Sequence, residues 1–441
     1  MILLLPSRVL VAAGVLLLQV VAQQHDIPYS RSLRGDQPAI NITFEYTIYT
    51  PVVVIINVND RSEFQQYANE YDILEASDET MTVTAIVNDE DLAKFEEDGV
   101  SYTIDETTTA EFDEESEAVQ QTAAAGEEDA LEKADGTLIS FKGISKEFSC
   151  YRTVEETYAT AKHIETTYPN IAEWIGIGPS WDRTQNNGKA GYEMKVLKLT
   201  NKATTGIVKP IMFATCSIHA RELAPAELCT RFAETLVQSY GDDADITALI
   251  DHQEIHLILI GNPDGRKMAE AGVSWRKNTN PLKKNNRSCN GDYGVDLNRN
   301  WPYGWGGEGA SSSCNSQIYR GAGATSEVET QNILKYMDSL GWGNQRNLPE
   351  SYYNSVNICR SDTYCPSSQQ YPAPPNTTTG IALDIHAYGE LMLWPWGYTA
   401  SKSGNDAQYV ALGRKLAHSN GYKPQQSTSL YVTAGTTCDT W

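Results

Sequence analysis

The sequence is short of basic residues and has no apolar run long enough to cross a membrane. Its 441 residues include 34 Lys and Arg but 57 Asp and Glu, which gives a formal net charge of −23. Nucleic-acid binding requires Lys and Arg clustered on one face, so this charge argues against a nucleic-acid partner. A membrane-spanning helix needs about 18 or more consecutive apolar residues, which no segment supplies, so no membrane partner is expected. The 41% content of hydrophobic residues is enough for a sizeable core in two or three domains.

The N-terminus has the pattern of an export signal. Arg8 precedes an apolar run over 9–21, and the small residue Ala22 follows at the place where a signal peptidase would cut. We therefore predict a signal peptide over 1–22 and a secreted, extracellular protein. Residues 31–34 then read Arg-Ser-Leu-Arg, which resembles the Arg-x-Leu-Arg element of oomycete effector proteins. The alternative is an exposed basic patch or a processing site.

Secretion would place the eight cysteines in an oxidising compartment, where some of them are expected to pair. Sequence proximity favours the pairs Cys289 with Cys314 and Cys359 with Cys365. The cysteines without an assigned partner are Cys150, Cys216, Cys229 and Cys438. The sequons that predict glycosylation are at Asn41, Asn286 and Asn376.

An acidic segment divides the rest of the chain into two blocks. Over 40–105, strand-like apolar runs alternate with polar helical stretches, which predicts a small α/β sandwich with antiparallel strands. Between residues 105 and 135 there are twelve acidic residues and one lysine, and like-charge runs of this kind stay solvated and disordered. We assign 23–105 to a first domain, 106–135 to an exposed, cleavable linker and 136–441 to a second domain. An acidic interaction segment is the alternative for the linker.

The second block alternates strands with helices. The apolar runs lie at 210–217, 255–260 and 380–385, and the helical patterns lie at 225–240, 326–340 and 406–419. Thr153 with Glu156, and Ser326 with Glu329, have the spacing of capping boxes at helix starts. Strands separated by helices predict an α/β fold with a mixed, largely parallel central sheet and helices on both faces.

Two of the predicted strands end in potential metal ligands. His219 and Glu222 follow the apolar run over 210–216, and His386 ends the run that begins at Gly380. Open α/β sheets bind their ligands at the carboxyl ends of the strands, so these side chains are expected to meet. Two imidazoles and one carboxylate suit zinc and leave its fourth position open, as a catalytic zinc requires. We predict one zinc ion per chain here; the alternative is that each histidine is an ordinary core or turn residue.

Cations and amides occur in two further motifs. Arg276 follows Trp275, and Asn298 and Arg299 lie within the run 294–301. A guanidinium group binds a carboxylate through two parallel hydrogen bonds. One arginine is therefore expected to hold a substrate carboxylate and another a developing oxyanion. The alternative is that Arg299 pairs with a nearby acid.

These motifs occur in the order found in the zinc metallocarboxypeptidases of the carboxypeptidase A/B type, which the chain resembles from about residue 148 onward. The matching segments are Ile-His-Ala-Arg-Glu at 218–222, Asn-Pro-Asp-Gly at 262–265, Trp-Arg-Lys at 275–277, Asp-Leu-Asn-Arg-Asn-Trp at 296–301, Ser-Glu-Val-Glu-Thr at 326–330 and Asp-Ile-His-Ala-Tyr at 384–388. The first block resembles that family's inhibitory propeptide. The resemblance implies a secreted pro-enzyme, expected to be a monomer, that removes C-terminal residues from peptides and proteins.

The resemblance also assigns a role to each candidate residue. The family's zinc ligands correspond to His219, Glu222 and His386, its oxyanion-stabilising arginine to Arg276, and its substrate-binding residues to Arg221, Asn298, Arg299 and Tyr431. In these roles zinc polarises the scissile carbonyl, while the arginine stabilises charge that appears only in the transition state.

The chain departs from the family pattern near its C-terminus. Counted forward from Gly435, the family's pocket-floor position is Cys438, which favours apolar or aromatic terminal residues. Counted back from Trp441 it is Asp439, which would pair with Lys or Arg. The forward count is preferred because it keeps Tyr431 in place. The family's general-base glutamate would follow Trp441, so the domain is expected to be incomplete and the chain to hydrolyse peptides poorly.

Two other functions remain open. One is a catalytically inactive zinc-site protein, a secreted effector or binding module that keeps the ligands but lacks the general base. The other is an amidohydrolase on the same scaffold, which would not require a free substrate carboxylate. Turnover of a free peptide against a C-terminally blocked one separates both from a carboxypeptidase.

Overall fold

The structure is a computed structural model, and it describes most of the second block and parts of the first. The described residues are 2–4, 17–19, 47–49, 52–77, 80–87, 89–110, 130–132, 138–140, 144, 150–185, 188, 190–281, 293–340 and 380–440. The three sequons, the Arg-Ser-Leu-Arg motif, Cys289, Cys359 and Cys365 lie outside these ranges. The predictions made for them therefore stay predictions.

Three short strands come first in the chain. They are β1 (Ile2–Leu4), β2 (Leu17–Gln19) and β3 (Thr47–Tyr49). Strands β2 and β3 pair with each other in antiparallel orientation. Strand β1 joins the large sheet of the second block, as described below, and lies within the predicted signal peptide.

The first block is a four-stranded antiparallel sheet packed against two helices. Its elements are β4 (Val52–Asn57), α1 (Arg61–Glu70), β5 (Asp72–Ser77), β6 (Thr82–Val87), α2 (Asp89–Asp98) and β7 (Tyr102–Ile104). The strand order is β5-β6-β4-β7. Alternate residues Val54 and Ile56 share one face of β4 and pack with Phe64, Tyr67 and Phe95 from the two helices. The predicted α/β sandwich is therefore confirmed.

Strand β5, like β3, was not predicted, because the strand-like runs of this block lie at 52–58, 80–87 and 102–104. Its register against β6 shifts between Ile73 and Glu75, which marks a β-bulge or similar irregularity. A bulge breaks the alternation of apolar and polar residues on which strand prediction depends.

Two short elements lie inside the predicted linker. Residues 106–110 are helical, and β8 (Ala130–Glu132) pairs with β9 (Leu138–Ser140). The Asp105 carboxylate starts the helical turn by accepting hydrogen bonds from the backbone and the hydroxyl of Thr108 at 3.0 and 2.7 Å. The expectation that the whole linker lacks regular structure is wrong at these two places. The domain limits themselves stay predictions.

The second block is built on a mixed sheet of eight strands. Its own strands are β10 (Ala172–Pro179), β11 (Glu193–Leu199), β12 (Ile211–Cys216), β13 (Glu254–Ile258), β14 (Gly380–His386), β15 (Leu391–Trp394) and β16 (Lys423–Gln426). The order is β10-β11-β13-β12-β14-β1-β15-β16, so β1 lies between β14 and β15. Four of the seven neighbouring pairs are parallel. This confirms the mixed, largely parallel sheet.

Helices cover both faces of this sheet. They are α3 (Val154–Thr167), α4 (Trp181–Thr184), α5 (Ala224–Ser239), α6 (Ala244–His252), α7 (Pro263–Glu270), α8 (Val328–Ser339), α9 (Asp406–Ala417) and α10 (Thr437–Thr440), with 3₁₀ turns at Leu297–Arg299 and Ser427–Ser429. On β12, Ala214 joins a core that contains Leu236 of α5, whereas its neighbour Phe213 joins a separate core that contains Ile333 of α8. None of the helices in the described ranges is long and apolar enough to cross a membrane.

One predicted capping box is confirmed and the other is wrong. At α3, Thr153 Oγ1 accepts the backbone N–H of Glu156, and the Glu156 carboxylate accepts the backbone N–H of Thr153. Helix α8 instead begins after Glu327, and no side chain caps it. The Glu329 carboxylate accepts hydrogen bonds from the backbone of Trp181 and the side chain of Asn278, so it does not fold back on its own helix.

The disulfide pattern includes a pair that sequence proximity did not identify. Cys216 and Cys229, which were left unassigned, are joined in a disulfide with Cα atoms 6.6 Å apart. Cys216 ends β12 and Cys229 lies in α5, so the fold brings together residues that are 13 positions apart. Cys314 is also disulfide-bonded. Its predicted partner, Cys289, lies outside the described residues.

Candidate metal centre

The loop between β12 and α5 carries the first two predicted ligands, and three contacts fix its path. Ser217 has a positive φ of 54°, which turns the chain sharply after the strand. Its hydroxyl donates to the carbonyl of Glu222 at 3.0 Å, and the backbone N–H of Ala220 donates to the carbonyl of Arg276 at 3.1 Å. The Cys216–Cys229 disulfide closes the same loop. His219 and Glu222 are therefore held by covalent and polar contacts together.

A buried arginine supports this loop from α7. Arg266 is fully buried, and its Nη1 donates to Ser217 Oγ and to the carbonyl of Leu223, both at 3.3 Å. Its Nη2 donates to the carbonyl of Arg152 at 3.2 Å. Arg266 directly follows the Asn-Pro-Asp-Gly segment at 262–265, but no sequence signal predicts its contact with this loop.

The third predicted ligand lies on the neighbouring strand. Strand β14 runs parallel to β12, and Ile385 pairs with Cys216. His386 is the next residue, so it lies level with the start of the loop that carries His219. The prediction that both strands present their ligands at one edge of the sheet is confirmed by this geometry.

The three side chains converge closely enough to hold a metal ion. Their potential ligand atoms lie within 4.8 Å of one another, and within the described ranges no other group of three or more His, Cys, Asp or Glu side chains does so. His219 Nδ1 is 2.6 Å from Glu222 Oε1, and His386 Nδ1 is 3.0 Å from Glu222 Oε2. The two Nδ1 atoms are 3.1 Å apart. The side chains are buried, with exposures of 3%, 8% and 4%.

A carboxylate lies behind each histidine. His219 Nε2 is 3.1 Å from Asp296 Oδ1, and His386 Nε2 is 2.7 Å from Asp384 Oδ2. If each Nε2 carries the proton and donates it, each Nδ1 keeps its lone pair for a metal. Zinc-binding histidines are commonly oriented in this way. The residues present therefore fit a zinc ion.

The interactions within the cluster favour the charged forms of Glu222 and His386. Burial alone would raise the pKa of Glu222, but the two histidines hold it well below its usual range. Burial would lower the pKa of His386, but the carboxylates of Asp384 and Glu222 raise it to about 10. Without a metal, a proton therefore takes the place of a cation between these groups, and a metal ion must displace it.

The predicted oxyanion-binding arginine lies beside the cluster. Arg276 donates to Asp296 Oδ2 through Nε and Nη2 at 3.1 and 3.0 Å, and its Nη1 is 3.9 Å from Glu222 Oε1. Because Asp296 contacts Arg276 as well as His219, one carboxylate orients a ligand and a cation together. Burial opposes the charge of Asp296, but Arg276 and His219 hold its pKa well below the usual range.

The predicted carboxylate-binding residues lie on a 3₁₀ turn next to the second histidine. Asp296 caps the turn by accepting the backbone N–H of Asn298 at 2.8 Å. Asn298 Nδ2 is 3.1 Å from His386 Nε2. Arg299 is 3% exposed and donates to the carbonyls of Gly309 and Asn298 at 2.7 and 2.8 Å. Asn298 therefore adjoins the ligand His386, and Arg299 adjoins Asp296, whose Oδ2 is 3.9 Å from Arg299 Nη1.

The remaining predicted site residues lie at the margins. Arg221 follows His219 closely and is half-buried in the same loop. Tyr431 is also half-buried and packs against a cluster formed by Leu391, Leu393, Leu430 and Cys438. Gly435 has φ of 70°, and a Cβ there would lie 2.6 Å from the Arg299 carbonyl, so only glycine fits.

Sequence reasoning missed Asp384 and Thr437, which complete the surroundings of His386. Asp384 lies in the segment 384–388, whose pattern predicts a strand but no contact with His386. Its position two residues before His386 could have been informative, because alternate residues of a strand share a face. Thr437 gave no such signal, since the contact that it makes joins positions 53 apart in sequence.

Known proteins resemble this chain in sequence. The family described as zinc carboxypeptidase matches residues 157–359 and 366–441. A zinc carboxypeptidase of Saccharothrix mutabilis subsp. capreolus is 30% identical over 321 residues, which cover 70% of this chain and 63% of that protein. Carboxypeptidase O of Homo sapiens is 26% identical over 286 residues, which cover 65% of this chain and 63% of that protein. The chain thus spans less than two thirds of the length of either relative.

The fold has a counterpart among solved structures. The crystal structure of the carboxypeptidase A from Helicoverpa armigera matches with a TM-score of 0.61 and 19% identity, covering 89% of this chain and 85% of that chain. At this identity the likeness establishes the fold alone. None of these comparisons favours an inactive binding module over an enzyme.

Proposed function

Because this chain belongs to the zinc carboxypeptidase family, we propose that it is a metallocarboxypeptidase that releases the C-terminal residue of peptides and proteins. One zinc ion would be held by His219, Glu222 and His386, with its fourth position open. When bound, zinc would polarise the scissile carbonyl and make a water molecule more acidic. Arg276 would stabilise the negative charge that develops on the carbonyl oxygen.

The observation that carries the proposal is the position of the carboxylate-binding groups. Asn298 contacts the ligand His386, and Arg299 follows it in the same turn. A peptide whose terminal carboxylate is bound by these two residues would place its last peptide bond next to the metal cluster. The distance between these carboxylate-binding residues and the metal would then limit cleavage to that bond.

We further propose that the pocket prefers apolar or aromatic terminal residues. Cys438 is buried in the apolar cluster of Leu391, Leu393 and Leu430. The Asp439 carboxylate already accepts the backbone N–H of Gly397 at 2.7 Å, and burial raises the pKa of Asp439 to about 7. A carboxyl group that is satisfied in this way and partly protonated at neutral pH is a poor partner for a substrate Lys or Arg.

The first block would act as a propeptide. Ile73 and Ala76 of strand β5 pack against the apolar cluster around Leu391, Leu430 and Cys438 that would line the pocket. Tyr431, the residue expected to close over a substrate, packs against the core of the first block as well. These contacts support a block that covers the substrate-binding side until the linker is cut. Secretion through the predicted signal peptide and a monomeric state belong to the same proposal.

Binding and hydrolysis of one peptide pair test the function. The zinc-loaded full chain, before and after cleavage in the linker, is offered a peptide that ends in a free Phe carboxylate and the same peptide with a C-terminal amide. We expect the free acid to bind at least about tenfold more tightly, because the amide cannot pair with the Arg299 charge. Hydrolysis, however slow, should remove the last residue of the free acid alone.

Two arginine variants control this test. Arg299→Gln should abolish the preference for the free acid. Arg231→Gln is the matched change in an arginine that pairs with Glu227 on α5, and it should keep the preference. Equal binding and hydrolysis of the acid and the amide by the wild-type chain would refute a carboxypeptidase and favour an amidohydrolase. Release of internal fragments would also refute a carboxypeptidase.

A further inference from the structure

We propose that Asp384 and Thr437 form a positioning pair for the metal centre. Asp384 fixes the zinc-binding tautomer of His386, and Thr437 ties that carboxylate to Asn298, which would bind the substrate. The inference rests on the proposed zinc site.

Asp384 is a buried carboxylate whose position packing alone does not explain. Its side chain is 1% exposed, and its Oδ2 is 2.7 Å from His386 Nε2. Its other oxygen, Oδ1, is buried and has no hydrogen-bond partner among the described residues. Burying a charge with an unsatisfied oxygen is costly, so such a group needs a reason beyond packing.

The hydrogen bond to His386 gives that reason. When Nε2–H donates to Asp384, His386 Nδ1 keeps its lone pair, and Nδ1 is the atom that faces Glu222 at 3.0 Å and His219 Nδ1 at 3.1 Å. The carboxylate also makes the imidazole a more basic ligand. Asp384 thus selects which ring nitrogen is available to the metal and strengthens it.

Asp384 differs from the carboxylate behind the first histidine. Asp296 divides its charge between His219 and Arg276, which donates to it twice. In the described part of the chain Asp384 forms an ion pair with His386 but with no lysine or arginine. Its negative charge therefore acts mainly on His386 and on the cation that this histidine binds.

Thr437 extends the pair to the substrate side. Its hydroxyl donates to Asp384 Oδ2 at 2.5 Å, and its backbone N–H donates to Asn298 Oδ1 at 3.0 Å. The hydroxyl is also 3.2 Å from Asn298 Oδ1, but it has a single proton, and the charged acceptor is closer. With Oδ1 held by the backbone, the Asn298 NH₂ group is turned toward His386, and its nitrogen is 3.1 Å from Nε2. One residue therefore orients both the carboxylate behind His386 and the amide that would bind a substrate.

Zinc affinity of the full chain, measured by competition with a chromophoric chelator, tests the pair. Asp384→Asn keeps the size of the side chain but removes its charge, and we expect zinc to bind roughly 10- to 100-fold more weakly. Thr437→Val removes the hydroxyl but keeps the backbone N–H that donates to Asn298. It should therefore cause a smaller loss of zinc affinity and leave binding of the free-acid peptide by the zinc-loaded chain unchanged. Thr437→Ser keeps the hydroxyl and should restore zinc affinity.

A buried carboxylate on another network provides the control. Asp264 is 3% exposed and accepts from Ser180 Oγ and the backbone of Asp182, away from the ligands. Asp264→Asn should leave zinc affinity within about twofold of wild type, a margin well below the loss expected at a ligand's partner. The proposal would be overturned if Asp384→Asn bound zinc as tightly as this control. It would also be overturned if Thr437→Val and Thr437→Ser had the same zinc affinity. If Asp384→Asn does not fold, the two threonine variants still decide.

The zinc measurements distinguish failure of the positioning pair from failure of the proposed function. Failure of the wild-type chain to bind zinc at all would remove the zinc site itself. Tight zinc binding by the wild type together with unaffected variants would remove only the positioning pair.

Discussion

Glu329 allows the effect of one buried carboxylate on stability to be measured against pH. Its side chain is fully buried behind the segment that carries Arg276, and it accepts the backbone N–H of Trp181 at 2.6 Å. Its Oε2 shares the Asn278 NH₂ group with Glu327, at 3.1 and 2.8 Å. Burial, and then the nearby charge of Glu327, raise the pKa of Glu329 from 4.5 to about 8.

The sign and size of the effect follow from this shift. A carboxyl group with a raised folded-state pKa stabilises the fold fully below its unfolded-state pKa, and this contribution is lost as the pH rises through the folded-state value. Each pKa unit corresponds to about 1.4 kcal/mol. The interval from 4.5 to about 8 therefore sets an upper limit of roughly 5 kcal/mol on the loss. Glu329→Gln cannot ionise, so it should escape this loss.

Urea unfolding of the metal-free full chain between pH 5 and 8.5 measures the difference. We expect the variant to gain stability over the wild type as the pH rises, reaching at least about 2 kcal/mol by pH 8. Glu308→Gln, at an exposed position, controls for the loss of one negative charge. A difference that stays constant across this range, or a variant that is less stable at pH 8, would refute the reasoning.

The other predictions concern the site directly. His219→Ala and His386→Ala each remove one of three ligands, so neither protein should retain stoichiometric zinc after gel filtration; retention by both would contradict the ligand set. Cleavage within the linker, between residues 111 and 129, should raise the rate of peptide hydrolysis, and an intact chain that is already as active would reduce the first block to a folding aid. The cleaved enzyme should release Phe or Leu faster than Arg, and the reverse order would move the pocket floor from Cys438 to Asp439.

The sequence predicted those parts of the fold and site that local pattern determines. Strand β12 and helix α5 were expected from an apolar run and a helical pattern, and the ligands His219 and His386 were expected because each follows or ends a predicted strand. The capping box at Thr153 depends on residues three positions apart, which a sequence shows directly. In each case the deciding contact lies within a few residues or follows from parallel strand ends.

The parts that could not be predicted depend on contacts between distant segments. Cys216 and Cys229 pair because β12 and α5 meet. Ser326 and Glu329 have the spacing of a capping box, but Trp181 and Asn278 supply better donors to Glu329 from elsewhere in the chain. Competition of this kind between local and distant partners is invisible in one sequence.

The charges of the candidate site explain why a free substrate carboxylate should matter. Three buried carboxylates surround the metal position, with Glu222 facing it and Asp296 and Asp384 behind the two histidines. Their three negative charges would balance the two charges of zinc and the one of Arg276. Arg299 is buried nearby, and its Nη1 lies 3.9 Å from Asp296 Oδ2. The negative charge of Asp296 would already be balanced by zinc and Arg276. The terminal carboxylate of a peptide would supply a negative charge to balance the Arg299 guanidinium. A terminal amide would leave the buried positive charge of Arg299 unbalanced. The preference for free C-termini would therefore depend on all the charges of the site together. Asp384→Asn should change this preference only by weakening zinc binding.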